Sequence, residues 1–383
     1  MNHLRNTTTP RIFMAATRQD DGKTTTSIGL FASLQSRLKS IGYIKPVGQR
    51  FVEIEGQKID EDSILINETY RVRSPLRAMS PIAVEPKFTR HFLDHGHASD
   101  MQARVQEAFD EVAWEKDFVI IEGTGHAGVG SVFDLSNAMV AKLLKSKVII
   151  VSQGGIGRPI DEIAMNLSLF EKHGVEVIGA IINKIDPDKL DLLPYTKRGL
   201  ARMGLSLLGA MTINYELRMP TLNQVCLQVQ GEFLTGADHK RRRVGKVIVG
   251  TMASHNAKQF FSRHGLLITS GDRDDLIMAA GQAHMGDKKH QLTGVILTDN
   301  ILPDPGVTQF IRDSGLPFIL CACDSYTAAS TINRMIVKTE SGDKEKISMI
   351  QEMVEKNVEI DKIIQASQMP YQQPLLNFES LDI

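Results

Sequence analysis

Cysteine is scarce in this chain: Cys226, Cys321 and Cys323 are its three in 383 residues. They form no C-x-x-C pair and no even-numbered framework, which excludes a disulfide-stapled secreted fold. They read as reduced core residues of a cytosolic protein. Net charge is equally small, −1 at pH 7, so the chain as a whole draws neither nucleic acid nor an anionic membrane. The one basic run, Lys240-Arg241-Arg242-Arg243, reads as a solvated linker. No apolar run approaches the roughly 18 residues of a membrane span. The first ten residues, MNHLRNTTTP, hold no apolar signal segment. His255, His264 and His290 lack metal-ligand spacing. A cytoplasmic protein without nucleic-acid or membrane partners is expected.

What is present is ordinary for a globular protein: 42% hydrophobic and 23% charged residues. The length suffices for two or three domains. Short apolar runs at Arg11–Ala16, Tyr43–Lys45, Phe118–Ile121, Val148–Val151, Val175–Ile182 and Ser206–Met211 read as buried strands. Helix-like stretches separate them, among them Thr24–Ser40, Ser99–Trp114, Leu135–Leu144 and Asp161–His173. Strands alternating with helices predict an α/β fold with a parallel sheet covered on both faces. A second α/β pattern comes next, with strands at Val244–Gly250, Leu266–Thr269, Gly294–Leu297 and Pro317–Leu320. The expected division is a first domain over 1–213, a second over 214–341, and a C-terminal helix and tail over 342–383. One charged amphipathic helix is expected over 342–367.

Gly22-Lys23-Thr24 opens the first helix directly after the first strand. That context is what a phosphate-binding loop requires. Gly22 lets backbone approach the phosphates, Lys23 reaches their outer oxygens, and Thr24 offers a hydroxyl to Mg²⁺. Thr17 stands where the first glycine of G-x-x-x-x-G-K-[ST] belongs, and Asp20 and Asp21 place carboxylates where a phosphate would lie. Two such charges are expected to weaken binding of a triphosphate. Glu122 ends a buried strand, so it faces the crevice at the sheet's carboxyl end, where it either orients Mg²⁺ or makes a turn. Asp62 is either a metal ligand or a helix cap. Lys45 ends the second strand and points at the same crevice. Asn183-Lys184-Ile185-Asp186 resembles the guanine-reading motif of small GTPases, and Asp186-Pro187 also reads as a plain turn.

These motifs together resemble dethiobiotin synthetase. They are closer still to the dethiobiotin-synthetase-like N-terminal domain of long phosphotransacetylases, a P-loop NTPase-type fold. That family's loop reads G-T-x-x-x-x-G-K-T, so Thr17 is part of the pattern. The likeness continues through Tyr43-Ile44-Lys45-Pro46-Val47, Asp62-Ser63-Ile64-Leu65, Glu122-Gly123-Thr124-Gly125 and Ile181-Ile182-Asn183-Lys184. The resemblance implies a nucleotide cradle of Thr17, Gly22, Lys23, Thr24 and Thr25. It implies a Mg²⁺ set of Thr24, Asp62 and Glu122, with Lys23 and Lys45 as catalytic lysines. It sets Asn183 against adenine, and so favours ATP over GTP. Arg18 occupies the place of a signature lysine that acts across a dimer in related loops; a salt bridge within the chain is the other reading. A homo-oligomer is therefore expected. The stretch His126-Ala127-Gly128-Val129-Gly130 departs from the synthetase's substrate loop.

Residues 214–340 resemble the DRTGG domain. The resemblance rests on N-x-E-L-x-x-P-T at 214–221, V-x-V-G-x-M at 247–252, G-D-R-D-D at 271–275 and G-V-I-L-T at 294–298. Asp272 is expected to cap the following helix, with Arg273 either an anion-binding cation or the partner of an aspartate. The family's T-G-G is Thr298-Asp299-Asn300 here. The stretch beyond residue 340 is too short for an acetyltransferase domain, so acetyl transfer is not expected. Three functions remain: a Mg-ATP-dependent sensor or regulator, an ATP-dependent ligase that phosphorylates a carboxylate or carbamate, and a scaffold with an inactive nucleotide site.

Overall fold

The apolar runs of the first half become the parallel strands of one sheet. The structure, a computed structural model, describes residues 5–286 and 288–369. Its strands β1 (Arg11–Ala16) and β2 (Ile41–Ile44) are buried along their whole length. Two small pairs come after them: β3 (Val47–Gly48) with β6 (Ile82–Ala83), and the hairpin β4 (Phe51–Ile54) with β5 (Gln57–Asp60). Then come β7 (Phe118–Glu122), β8 (Lys147–Gln153), β9 (Val177–Ile185) and β10 (Ser206–Thr212). The six long strands lie in the order β10-β9-β8-β1-β7-β2, all parallel. Continuous Val and Ile runs suit such strands, since helices cover both faces.

The register sets what the carboxyl edge of this sheet presents. Met14 stands beside Glu122, Ala16 beside Val151, Ile44 beside Ile121, and Gln153 beside Asn183. The residues at or just past these strand ends, Thr17, Lys45, Glu122, Ser152 and Asn183, therefore form one row. Ligands of open α/β sheets bind along this edge.

By Cα packing the chain forms two units. One comprises the described residues up to Asn214 together with those from Thr339 on; the other is Tyr215–Lys338. The first unit is thus interrupted in sequence by the second. After the interruption the chain rejoins as two helices, Lys344–Asn357 and Ile360–Gln368. The single helix expected over 342–367 is broken at Val358. There Val358 forms an antiparallel bridge with Gly209 of β10, and Glu359 N–H donates to Leu208 O at 2.8 Å. The edge strand claims the backbone that a continuous helix would use. The expected tail beyond residue 369 lies outside the described residues.

Helix Lys344–Asn357 packs on the first helix of the chain, α1 (Lys23–Gln35). Gly29 makes the close approach possible: a Cβ there would stand 2.3 Å from Val354 Cγ2. Beside this contact Tyr70 ends helix α2 (Glu61–Tyr70) and donates its hydroxyl to Ile28 O at 2.6 Å. It accepts in turn from Gln351 Nε2 at 3.1 Å.

The second unit has a five-stranded sheet in the order β11-β15-β14-β13-β12. Its strands are β11 (Glu232–Thr235), β12 (Lys246–Val249), β13 (Gly265–Ser270), β14 (Gly294–Thr298) and β15 (Phe318–Leu320). Neighbours from β12 to β15 are parallel, and β11 runs antiparallel to β15. The basic run is no free linker. The carbonyls of Lys240 and Arg242 accept from the backbone of Asn223 and Leu222, and Arg243 bridges Thr221. Asp272 does not cap the helix after β13; Arg273 takes the N-cap position, without a side-chain bond. The Arg273 guanidinium is spent on Asp275, at 2.8 and 3.1 Å, and on the Gly250 and Met252 carbonyls.

Candidate functional site

The loop between β1 and α1 is held from below. Asp21 is 1% exposed. Its Oδ2 accepts from the Thr17 hydroxyl at 2.6 Å and from Arg18 N–H at 2.8 Å. Thr17 lies 3.1 Å from Ser152 Oγ, and its N–H donates to Val151 O, so the loop is tied to β8. The aspartate expected to crowd a phosphate is turned into the sheet; its carboxylate takes the hydrogen bonds that fix the turn. Asp20 differs. It is exposed, with φ of 67°, and its carbonyl accepts from the Lys184 ammonium.

Asn183 braces the same loop. Its Nδ2 donates to Asp21 O at 3.0 Å and its Oδ1 accepts from Lys184 N–H at 2.8 Å. Gly22, at φ 95°, lies against this amide, and a Cβ there would stand 2.1 Å from Asn183 Nδ2. Both the left-handed backbone and the lack of space require glycine. Asp186 caps the short 3₁₀ helix Pro187–Leu192 through Asp188 N–H, which is the turn reading of that residue.

Gly22 is the N-cap of α1 and Lys23 its first residue, so the unpaired N–H groups of the helix face the crevice. The side chains of that first turn meet carboxylates from two other elements. Thr24 Oγ1 donates to Glu122 Oε1 at 2.7 Å and lies 3.3 Å from Asp62 Oδ2. Lys23 Nζ stands 3.5 Å from Glu122 Oε1. Lys45 Nζ pairs with Asp62 and, at 3.1 Å, with Asp60 Oδ1. Tyr43 donates its hydroxyl to Glu122 Oε2 at 3.1 Å. Thr25 is half-buried in the same turn.

Two of these residues have no site role in the sequence reading. Asp60 is 1% exposed, ends β5, and caps α2 by accepting from Asp62 N–H at 2.9 Å. Asp62 is therefore no cap; it stands in the first turn of α2, aimed at Thr24 and Lys45. Tyr43 lies inside the Y-I-K-P-V stretch, where it looks like a core aromatic. A polar partner for its buried hydroxyl was the available signal.

Burial opposes the charged form of Lys45. Asp62 and Asp60, with Glu122 behind them, outweigh it and hold the ammonium well above the ordinary lysine range. Burial and the Glu122 carboxylate push the Tyr43 phenol far up, so it stays a donor. Asp60, Asp62 and Glu122 face the ammoniums of Lys23 and Lys45. Burial, opposed by Lys45 and helped by the Asp62 charge, holds the Asp60 carboxyl above the usual carboxylate range. Among the described residues no three His, Cys, Asp or Glu side chains form a metal set by themselves. The Thr24 hydroxyl with the Asp62 and Glu122 oxygens is instead an all-oxygen partial set, the kind Mg²⁺ takes when phosphates and waters complete it. The residues fit the ion.

Arg18 is paired within the chain. Its Nε pairs with Glu162 Oε2 at 2.6 Å, and Glu162 also receives Arg158 at 2.8 Å.

Residues 10–221 match the family model of an AAA domain, AAA_26, and residues 224–335 match that of the DRTGG domain. The chain belongs to this AAA domain family. Its AAA domain is like dethiobiotin synthetase: the ATP-dependent dethiobiotin synthetase of Clostridium kluyveri is 28% identical over 185 residues, 46% of this chain and 75% of that protein. The phosphate acetyltransferase of Nitrosomonas europaea is 26% identical over 377 residues, 95% of this chain and 52% of the relative. The chain thus spans about half the length of the phosphate acetyltransferases it matches. Among solved structures, a ParA family ATPase from Chlorobium tepidum is 14% identical, with a TM-score of 0.35 over 54% of this chain and 86% of that one. No helix among the described residues is long and apolar enough to cross a membrane.

Proposed function

We propose that the AAA domain binds Mg-ATP and that the chain is a nucleotide-dependent sensor or regulator acting with its DRTGG domain. One observation carries this reading: the first turn of α1 meets Glu122 and Asp62 at Thr24. Backbone N–H groups of the loop and the α1 N-terminus receive phosphate oxygens. Lys23 would reach the outer phosphates. Asp62, Glu122 and the Thr24 hydroxyl would hold the metal. Bound Mg²⁺ supplies the charge that neutralises a triphosphate beside two carboxylates. The likeness of Ile181-Ile182-Asn183-Lys184 to the synthetase motif, in which the asparagine meets adenine, supports ATP over GTP. The carboxylate of Asp186, the base reader of the GTPase motif, is already used as a cap.

A second reading is an ATP-dependent ligase. Lys45 favours it, since a second ammonium held at the crevice could steady a phosphoryl group in transfer to a carboxylate or carbamate. A thermal-shift series separates these readings from an inactive scaffold. Mg-ATP is expected to raise the melting temperature more than Mg-GTP or metal-free ATP. Equal shifts with GTP overturn the base assignment, and no shift with any nucleotide supports the scaffold. Phosphate release that depends on an added carboxylate favours the ligase.

A further inference from the structure

The carboxyl end of β15 carries a pair of thiols that the nucleotide reading does not use. Cys321 Sγ and Cys323 Sγ lie 3.4 Å apart, and both are free. The pair sits against the turn that replaces the family's T-G-G. Cys321 N–H donates to Leu297 O at 2.9 Å, Asn300 N–H to Cys321 O at 2.9 Å, and Asp299 N–H to Cys323 O at 3.1 Å. Asp299 and Asn300 are both left-handed, at φ 63° and 54°. Directly after the pair, Asp324 caps the helix Ser325–Asn333 through Tyr326 and Thr327 N–H. The two sulfurs are thus held close by a backbone hydrogen-bonded on both sides.

We propose that Cys321 and Cys323 form a reversible disulfide when the protein meets a peroxide, making the carboxyl end of β15, against the Thr298-Asp299-Asn300 turn, a site of oxidative modification. The two thiols have unequal roles. Cys323 is half-exposed and meets the oxidant; Cys321 is 2% exposed, and burial pushes its thiol up to about 12. Cys323 sulfur, as its thiolate, attacks one peroxide oxygen. The O–O bond breaks, the far oxygen leaves and takes a proton, and Cys323 becomes a sulfenic acid. Cys321 sulfur then attacks Cys323 sulfur. The S–S bond forms, the S–O bond breaks, and the departing hydroxide takes the Cys321 proton to leave as water. Two thiols are oxidised and one peroxide is reduced. The third cysteine, Cys226, donates its buried Sγ–H to Gly231 O at 3.1 Å and is the internal control.

The test uses the full chain treated with hydrogen peroxide and then denatured for thiol counting. The count is expected to fall from three to one and to return to three with dithiothreitol. The peptide spanning Cys321 and Cys323 is expected to lose the mass of two hydrogens. Cys226→Ser should lose two thiols in the same way, and Cys323→Ser none reversibly. A wild-type count that stays at three overturns the proposal. So does a fall that Cys323→Ser reproduces, or a peptide that gains oxygen without losing hydrogen. The peptide mass is read on the unmodified chain, so the outcome does not depend on how a variant folds.

Discussion

Asp21 shows how far a residue's type is from its role. In sequence it is a negative charge in a phosphate loop; in the fold it accepts two hydrogen bonds under that loop. Asp21→Ala is expected to weaken ATP binding and to lower stability by about 1–3 kcal/mol, the cost of leaving the Thr17 and Arg18 donors unpaired. Titration calorimetry and urea unfolding check both. Tighter ATP binding in that variant would restore the view of Asp21 as a repelling charge. Asp60 is the converse case, unremarkable in sequence and central in the site. Asp60→Asn keeps an acceptor for Asp62 N–H but removes a charge from Lys45; Asp60→Ala removes both. Asp60→Ala is expected to be about 1 kcal/mol less stable in urea than Asp60→Asn, for the lost cap. Asn and Ala variants of equal stability would show that the cap contributes nothing.

At the scale of elements, the strands of the main sheet were legible because buried parallel strands are continuous apolar runs. The loop was legible because Gly-Lys-Thr at a strand–helix junction has one common use. The hairpin β4–β5 was not. Its strands, Phe-Val-Glu-Ile and Gln-Lys-Ile-Asp, are mixed in polarity and unevenly buried, so no hydrophobic period marks them. Strand β11 is four residues long and antiparallel on an edge, too short to carry a pattern. The grouping of the candidate site was legible where motif side chains meet directly, as with Thr24, Glu122 and Lys23. It was hidden where they act by bracing others, as with Asp60, Tyr43 and Lys184.

The contact of α1 with the returning helix Lys344–Asn357 has a pH signature. Tyr70 sits beside it, and burial pushes its phenol up from 10.0 to about 12 while Gln351 pulls it down. The folded-state value is raised, so this stability is present below about pH 10 and is lost as pH rises towards 12. The upper bound from the shift is about 2–3 kcal/mol. Tyr70→Phe is expected to be less stable than wild type at pH 8, having lost the bond to Ile28 O, and to show a shallower loss between pH 10 and 12. Parallel stability–pH curves for the two proteins would place the tyrosine outside the folded seam.

For the whole molecule, the order of the chain matters more than its length. The segment after Lys338 completes the first unit, with Ile350, Val354 and Ile363 each 0% exposed. Each such side chain contributes about 1.5–3 kcal/mol by burial. Ending the chain at Lys338 is therefore expected to lower the melting temperature of the AAA domain and to abolish its response to Mg-ATP. Scanning calorimetry of the truncated and full chains checks this, and unchanged melting with unchanged ATP affinity would show the segment to be an appendage. From sequence this segment reads as a separate charged helix, because no local pattern reveals that Gly29 and the edge of β10 receive it.

The central claim is that the loop ending at Gly22-Lys23-Thr24 holds Mg-ATP. Calorimetric titration of the full chain and of Lys23→Ala with Mg-ATP tests it most directly. A charge-assisted contact contributes about 1.5–3 kcal/mol, so the variant should bind about 10–100-fold more weakly. Binding of equal strength in both proteins, or none in the wild type, would contradict the account.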